Sequence, residues 1–176
     1  MIKVIETDIK DVKLIKPTIF KDNRGYFFES YNEKEFIEKI GPLKFIQDNQ
    51  SKSSFGVLRG LHFQKKPYEQ AKLVRVIKGK ILDVAVDIRP QSPTFKKYVS
   101  QELSSKNNLQ LFVPEGFAHG FVVLSKEAIV SYKVNQVYNP KSDAGYKFDD
   151  PSLKIDWLVN KTNLIISKKD LNLPYI

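Results

Sequence analysis

Short apolar and β-branched runs recur along the whole chain, and turn-forming residues separate each run from the next. This spacing is typical of strands in an all-β sandwich or barrel. The pattern predicts strands at residues 12–20, 26–31, 45–50, 56–63, 72–78, 80–88, 98–103, 109–113, 120–124 and 128–135. So many short strands fit an all-β fold of the jelly-roll or cupin-like barrel type, which holds ligands in its mouth or interior.

One segment has the pattern of a helix instead. Asn32 is a typical N-cap residue, Glu35 follows three positions later, and apolar side chains come directly after it. This arrangement predicts a short helix over residues 33–40 with a capping box, which Gly41-Pro42 ends. The tail from residue 149 onward is expected to form loops and short turns that pack on the barrel.

Length and composition narrow the class of protein. The 176 residues predict one domain, 1–176, with a sizeable core. Without cysteine there is neither a disulfide nor a thiolate metal site. The first ten residues carry acids and lack the apolar stretch of a signal peptide, and no run approaches the ~18–20 apolar residues of a membrane span. We therefore expect a cytoplasmic protein with no membrane contact.

The formal charge of +9 has three interpretations: solubility, a small anionic ligand, or nucleic acid. The lysines are scattered, and only short clusters such as Lys65-Lys66 and Lys168-Lys169 occur. A nucleic-acid surface would need a basic stripe with interleaved aromatic residues. We expect no nucleic-acid partner.

The two histidines are the first candidates for chemistry. His62 and His119 lie in the apolar, glycine-containing stretches GLHFQ and FAHGF. Imidazole titrates near pH 6.5, so it suits proton transfer at neutral pH, and it is also a common metal ligand. Two histidines in strand-like segments therefore predict a site that moves protons or holds a metal.

Residues 114–119 have the P-x-G-x-x-H form of the second cupin motif, with His119 at its end. The first cupin motif supplies metal ligands as H-x-H, but the matching place reads His62-Phe63-Gln64. The second histidine is missing, which disfavours a metal. A site of two histidines and a carboxylate stays open as an alternative.

The stretch GVLRGLHFQ at 56–64 places two candidate residues on one strand. His62 shares strand parity with Gly60 and Gln64, whereas Arg59 would face the other way. If both serve one site, we expect a bulge or bend at Gly60 to redirect one of them. A core histidine beside an unrelated arginine is the alternative.

Three further side chains have both a structural and a chemical interpretation. Asp83 lies on the polar face of an alternating strand, which either faces solvent or directs Asp83 into the barrel as a partner for a histidine or substrate. Tyr132, between two valines, is either a core aromatic residue or a general acid. Lys72 opens a strand and is either solvated or, inside the barrel, an oxyanion stabiliser.

Together these motifs closely resemble the dTDP-4-dehydrorhamnose 3,5-epimerase family of sugar-nucleotide enzymes, which have a cupin-like fold. The resemblance covers residues 12–174. The matching segments are DNRGYF (22–27), QDN (47–49), GVLRGLHFQ (56–64), QAKLVRV (70–76), DVAVDIR (83–89), SPTF (92–95), PEGFAHGF (114–121), YK (132–133) and SKKD (167–170).

The resemblance implies an isomerase that needs no cofactor and no metal. Its substrate would be a nucleotide-linked 4-keto-6-deoxyhexose, converted through an enolate. By motif, His62 would be the base, Tyr132 the acid, Asp170 the carboxylate that orients His62, and Lys72 the enolate stabiliser. Asp83 would lie behind the site as a supporting group.

The resemblance also implies the residues that bind the nucleotide and sugar, which are Arg24, Glu29, Gln47, Asn49, Arg59, His119, Tyr138, Asp143 and Lys169. Tyr138 would stack on the base. Two positions depart from the family pattern, since Trp is frequent at 138 and Glu at 143, and both departures concern recognition of the nucleotide. Members are homodimers with exchanged N-terminal strands, which implies that Arg24 and Glu29 act in the neighbouring site.

Other functions remain open at this point. A mono-epimerase, a 3,4-ketoisomerase or an epimerase of another nucleotide sugar would share the base and acid. A metal-dependent cupin would need a metal despite the missing histidine. A non-enzymatic basic binding module has only the net charge in its favour.

Overall fold

A computed structural model describes all 176 residues. The chain forms fourteen strands, two α-helices and one 3-10 turn at Lys161–Asn163. In chain order the elements are β1 (Ile2–Glu6), β2 (Lys13–Pro17), β3 (Phe20–Asp22), β4 (Gly25–Phe27), α1 (Glu33–Lys39), β5 (Gln47–Ser54), β6 (Val57–Gln64), β7 (Lys72–Lys78), β8 (Lys80–Asp87), β9 (Tyr98–Ser104), β10 (Gln110–Val113), β11 (Phe117–Val123), β12 (Glu127–Val134), β13 (Asp143–Gly145), β14 (Ile165–Ile166) and α2 (Lys168–Leu171).

The strands form two facing sheets. We call the first the A sheet; its order is β1-β2-β10-β7-β12-β5, and every pair in it is antiparallel. The second, the B sheet, has the order β13-β6-β11-β8-β9, and β14 pairs with β6 in parallel. A separate hairpin of β3 and β4 pairs with neither sheet. The predicted all-β, cupin-like jelly roll is confirmed.

Apolar side chains fill three layers around the sheets. The largest cluster lies between the A and B sheets and includes Val74, Phe121 and Val130. A second cluster covers the outer face of the B sheet with the C-terminal tail, in which Trp157 is buried. The third packs α1 on the outer face of the A sheet. Because the tail covers the B sheet, its central strands are buried on both faces, as in β8 and β11.

The helix lies where the sequence predicts it, with one difference at its cap. Asn32 accepts a hydrogen bond from the Glu35 backbone N–H at 3.2 Å, as an N-cap does. The Glu35 carboxylate does not return to Asn32. It accepts instead from the Ile2 backbone N–H at 2.6 Å and from Lys39 at 3.1 Å. Glu35 therefore ties the helix to β1 instead of closing the capping box.

Four strands were not predicted. The first ten residues were considered only for a leader, yet β1 adds an edge strand to β2. The predicted strand 12–20 ends as β2 at Pro17, and β3 begins at Phe20 and pairs with β4 instead of the A sheet. Both β13 and β14 are very short, and each is extended because it pairs with β6. The tail is otherwise loops and turns, as expected, with α2 added near its end. Neither α-helix is long and apolar enough to span a membrane.

A buried carboxylate fixes the loop after β8. Asp87 is completely buried and accepts hydrogen bonds from Arg89, Ser92 and Thr94, and Arg89 also reaches the exposed Asp11. Burial alone would raise the pKa of Asp87, but these hydrogen bonds bring that pKa well below its ordinary value. Its stabilisation is therefore full at neutral pH and is lost as the pH falls below about 4.

We expect Asp87→Ala to lower the free energy of unfolding at pH 7 by about 3 kcal/mol, because Arg89 and two hydroxyls lose a buried acceptor. Urea unfolding measures the change. The matched control is Asp11→Ala, which removes the exposed partner of the same arginine and should cost under about 1 kcal/mol. Equal losses in the two variants would contradict this assignment.

Candidate active site

A bulge in β6 brings two predicted site residues to one face of the B sheet. His62 pairs with His119 of β11, but Arg59 pairs with Phe121, so β6 has one extra residue between the two pairs. Gly60 occupies this bulge with φ at +141°, and a Cβ there would come within 2.5 Å of the Gly120 Cα. The expected irregularity is therefore present, and it places Arg59 and His62 on the inner face.

His62 is paired with a carboxylate from the tail. Its Nε2 lies 2.8 Å from Oδ1 of Asp170, and the other carboxylate oxygen accepts from the Gly60 N–H at 3.3 Å. Burial alone would raise the pKa of Asp170, but its bonds to His62 and Gly60 bring that pKa below its ordinary value. An ionised Asp170 holds the imidazole in one orientation and can stabilise the imidazolium that forms when His62 takes up a proton.

Asp170 owes its position to the start of α2. Ser167 is the N-cap, and its Oγ accepts from the Asp170 backbone N–H at 3.1 Å. The side chain of Asp170 is only 4% exposed, whereas that of His62 is 32% exposed. The carboxylate therefore lies behind the imidazole, and the imidazole faces the open side.

Lys72 and Tyr132 project from the A sheet toward the same space. Lys72 is buried at the start of β7, and its Nζ lies 3.5 Å from the backbone oxygen of His62. Burial lowers the pKa of Lys72 to about 8, although Asp83 and Asp143 act in the opposite direction. Burial raises the pKa of Tyr132, and the charge of Arg59 reduces that rise. At neutral pH an ammonium and a neutral phenol are therefore available.

His119 and Asp83 form a second pair deeper in the barrel. The His119 Nε2 lies 2.7 Å from Asp83 Oδ1, and Asp83 is completely buried. Burial lowers the pKa of His119 despite the opposing effect of Asp83. Asp83 is thus on the inner face of β8, not on a solvated one. Its second oxygen, Oδ2, has no hydrogen-bond partner, and the charge of Asp83 acts on nearby Lys72.

Three side chains meet at the rim of the site. Asp143 of β13 accepts a hydrogen bond from the Tyr138 hydroxyl at 3.1 Å and forms an ion pair with Lys169 of α2. The bond to Asp143 raises the pKa of Lys169. Lys169, and not its neighbour Lys168, is therefore the lysine that faces the site.

These groups surround a cleft of about 470 Å³ between the two sheets. Eight residues proposed from the sequence line it, and they are Gln47, Asn49, His62, Lys72, Tyr132, Tyr138, Asp143 and Lys169. Asp170, His119 and Asp83 lie behind its wall. No group of three or more histidine, aspartate or glutamate side chains is placed to share a metal ion.

Besides His119, which lies behind the wall, three proposed binding residues do not line the cleft. Arg59 lies beside it, where its Nε donates to Ser53 Oγ at 3.1 Å. Arg24 is at the tip of the β3–β4 hairpin, paired with Asp22 at 2.6 Å, and its side chain is almost fully exposed. Glu29 contacts the N-terminal ammonium at 3.4 Å. Within one chain, Arg24 and Glu29 are therefore separate from the other site residues.

Three lining residues were not assigned from the sequence, namely Phe63, Gln64 and Gln70. A signal existed for Gln64, since it shares strand parity with His62 and replaces the second histidine of the first cupin motif. Phe63 and Gln70 gave no such signal. Phe63 stacks on Tyr146, at 5.2 Å between ring centroids.

The arrangement suits proton transfer on both sides of a bound molecule. His62 belongs to the B sheet and Tyr132 to the A sheet, so an imidazole and a phenol line opposite walls of one cleft. The buried ammonium of Lys72 lines the same cleft and can stabilise negative charge as it develops. Such a site can remove a proton from carbon on one face and return one on the other.

Comparison with known proteins identifies the family. A family model described as dTDP-4-dehydrorhamnose 3,5-epimerase matches residues 6–176. A relative of that name from Shigella flexneri is 52% identical over 170 residues, which are 96% of this chain and 93% of the relative. The chain belongs to the dTDP-4-dehydrorhamnose 3,5-epimerase family.

Two solved structures share the fold of this chain, and they differ in the activity that is named for them. A dTDP-6-deoxy-D-glucose-3,5-epimerase from Legionella pneumophila, in complex with dTDP-4-keto-L-rhamnose, superposes with a TM-score of 0.96 at 44% identity, over 99% of this chain and 93% of that one. A 3′-monoepimerase from Streptomyces bikiniensis, in complex with dTDP-quinovose, gives 0.90 at 29% identity, over 97% and 86%. This chain is accordingly an isomerase of the 3,5-epimerase family.

The low pKa of Lys72 predicts the pH dependence of the epimerase. The ammonium form is present below pH 8 and is lost as the pH rises through about 8, so kcat/KM should fall on that side. Tyr132 stays protonated across this range because its pKa is raised. A pH–rate profile of the wild type measures the effect.

The control for this prediction is Lys72→Met, in which the slow residual rate should show no fall near pH 8. If the wild-type rate stays level to pH 9.5 or so, well past the pKa of Lys72, the ammonium has no part in the reaction.

Proposed function

We propose that this protein epimerises C3 and C5 of dTDP-4-dehydro-6-deoxy-D-glucose to give dTDP-4-dehydro-L-rhamnose, in deoxysugar biosynthesis. The single observation that carries the proposal is the placement of His62 and Tyr132 on opposite walls of one cleft. Inversion at carbon requires a base on one face of the sugar ring and an acid on the other. The family assignment gives the substrate class.

The C4 ketone makes the neighbouring C–H bonds acidic. His62 removes the proton from C5 or C3, and the electron pair moves through the C–C bond to the ketone oxygen, forming an enolate. The Lys72 ammonium stabilises that oxygen, and Tyr132 returns a proton to carbon from the other face. Each acid or base group typically contributes about 10²–10⁴-fold to the rate.

This sequence of steps is complete without a metal or an organic cofactor, because both protons and the enolate charge are handled by side chains. We therefore propose a cofactor-independent enzyme, whose activity should be unchanged in a chelator.

A mono-epimerase is the second candidate, favoured by the 3′-monoepimerase with the same fold. Both activities use one base and one acid, so the number of carbons that exchange protons distinguishes them.

We expect incubation of the wild type with dTDP-4-keto-6-deoxyglucose in D₂O to place deuterium at both C3 and C5, as read by mass spectrometry and proton NMR. His62→Ala should incorporate none. Tyr132→Phe should still exchange protons that His62 reaches, but without inverted product, because the opposite face lacks a donor. Label at one carbon in the wild type would indicate a mono-epimerase or a ketoisomerase, and no label would refute this substrate or the pairing of His62 with Tyr132 as base and acid.

We also propose that the protein is a homodimer in which Arg24 and Glu29 enter the partner's site. The β3–β4 hairpin supports this, since it pairs with neither sheet and exposes the aromatic rings of Phe20, Tyr26 and Phe27. A two-stranded hairpin with bare aromatic rings is not stable alone in water. The guanidinium of Arg24 would then bind the substrate diphosphate.

Complementation tests the exchange. Two inactive variants, Arg24→Ala and His62→Ala, are mixed, unfolded and refolded together. If Arg24 acts across the interface, half of the dimers carry one intact site out of two, and about a quarter of wild-type activity returns. If Arg24 acts within its own chain, no intact site can form, and the mixture stays as inactive as its components.

A further inference from the structure

Gln64 is a buried glutamine whose side chain makes three hydrogen bonds to the backbone of two neighbouring loops. Its side chain is at the end of β6, and the residue is 5% exposed. The Nε2 group donates to the backbone oxygens of Tyr68, at 2.6 Å, and Val137, at 3.1 Å. The Oε1 atom accepts from the Asn139 backbone N–H at 2.6 Å. Both carbonyl partners need a donor and the N–H needs an acceptor, so the amide has only this orientation.

Two of these partners flank Tyr138 on either side. Gln70 adds a third bond to the same loop, from its Nε2 to the backbone oxygen of Gln136 at 2.7 Å. Tyr138 itself is 55% exposed, and its hydroxyl makes one hydrogen bond, to Asp143. The position of its ring therefore depends on how the backbone on each side is held.

The amide of Gln64 lines the cleft, but both of its N–H donors are already used. It cannot offer a donor to a substrate without releasing the loop. Its geometry thus fits the holding of the loop, not direct contact with a ligand.

We propose that Gln64 is a positioning residue for nucleotide recognition, which holds Tyr138 at a fixed place relative to His62. The inference rests on the proposed function, in which Tyr138 stacks on the base. His62 and Gln64 are two residues apart on one strand and share its inner face, so the strand that carries the base for catalysis also sets the position of the stacking ring. At the place where metal cupins have a second histidine ligand, this chain has a residue that orders its binding loop.

The test is a double-mutant cycle on the full-length protein, with dTDP as the probe and calorimetric Kd as the readout. The variants are Gln64→Met, Tyr138→Ala and the double variant. Met has nearly the volume of Gln and no strong hydrogen-bonding group, so it removes the three bonds with little change in packing. We expect Gln64→Met to weaken dTDP binding about tenfold, as the loss of an ordered stacking partner would.

The double variant should bind dTDP within about twofold of Tyr138→Ala alone, because an effect that acts through the ring disappears with the ring. In Gln64→Met the kcat at saturating substrate should change less than about threefold, so that the loss falls on KM. Additive losses in the cycle, or an unchanged Kd in folded Gln64→Met, would overturn the inference. A wild type that fails to bind dTDP would overturn the proposed nucleotide, and the inference with it.

The matched control is Asn107→Leu. Asn107 likewise makes three side-chain bonds to the backbone of a turn, with Ser104, Leu109 and Glu102, but it is outside the cleft. This variant should lose stability without a change in dTDP affinity. If Asn107→Leu weakens dTDP binding as much as Gln64→Met does, the loss of hydrogen bonds to any loop has the same effect, and Gln64 has no specific role. If circular dichroism shows that Gln64→Met is unfolded, Gln64→Asn replaces it in the same cycle, since the shorter amide cannot reach all three partners.

Discussion

The close approach of β6 and β11 at Gly60 and Gly120 determines where the reactive side chains lie. No side chain fits between the two backbones at this point, so the strands touch and β6 takes up an extra residue. The extra residue brings Arg59 and His62 to the same face, and it directs the Gly60 N–H at the Asp170 carboxylate. One backbone irregularity thus determines the positions of His62, of the Asp170 carboxylate behind it and of the Arg59 cation beside it.

Each buried charge inside the barrel lies close to a group that compensates it. Asp83 is buried with one oxygen on His119 and the other without a hydrogen-bond partner, and the ammonium of Lys72 lies near it. Burial lowers the pKa of Lys72 to about 8, so the side chain is still an ammonium at neutral pH and can stabilise a developing anion. Isolated charges at these depths would be very costly, and their pairing keeps an ionic site compatible with a packed core.

Much of this could be predicted from the sequence, for reasons that differ by residue. Strand periodicity and the glycines around position 60 indicated the barrel and its bulge, because both are local. The family motifs located His62, Lys72, Tyr132 and Asp170, whereas spacing alone left each with a structural alternative. The Gln64 contacts could not be predicted, since its partners Tyr68, Val137 and Asn139 come together only through tertiary packing. The Glu35 bond to Ile2 escaped prediction for the same reason, as it depends on where β1 lies.

Asp170 lies in the C-terminal tail, so the catalytic site is incomplete until that tail has packed on the B sheet. The strands that carry His62, Lys72 and Tyr132 are complete by residue 134, but the carboxylate behind His62 belongs to a tail that also covers the outer face of the B sheet. A chain made from its N-terminus can pair these strands before the tail has left the ribosome. Until then it holds an imidazole without its counter-ion and an uncovered apolar surface. The docking of one segment therefore supplies both the carboxylate behind His62 and the cover over the B sheet.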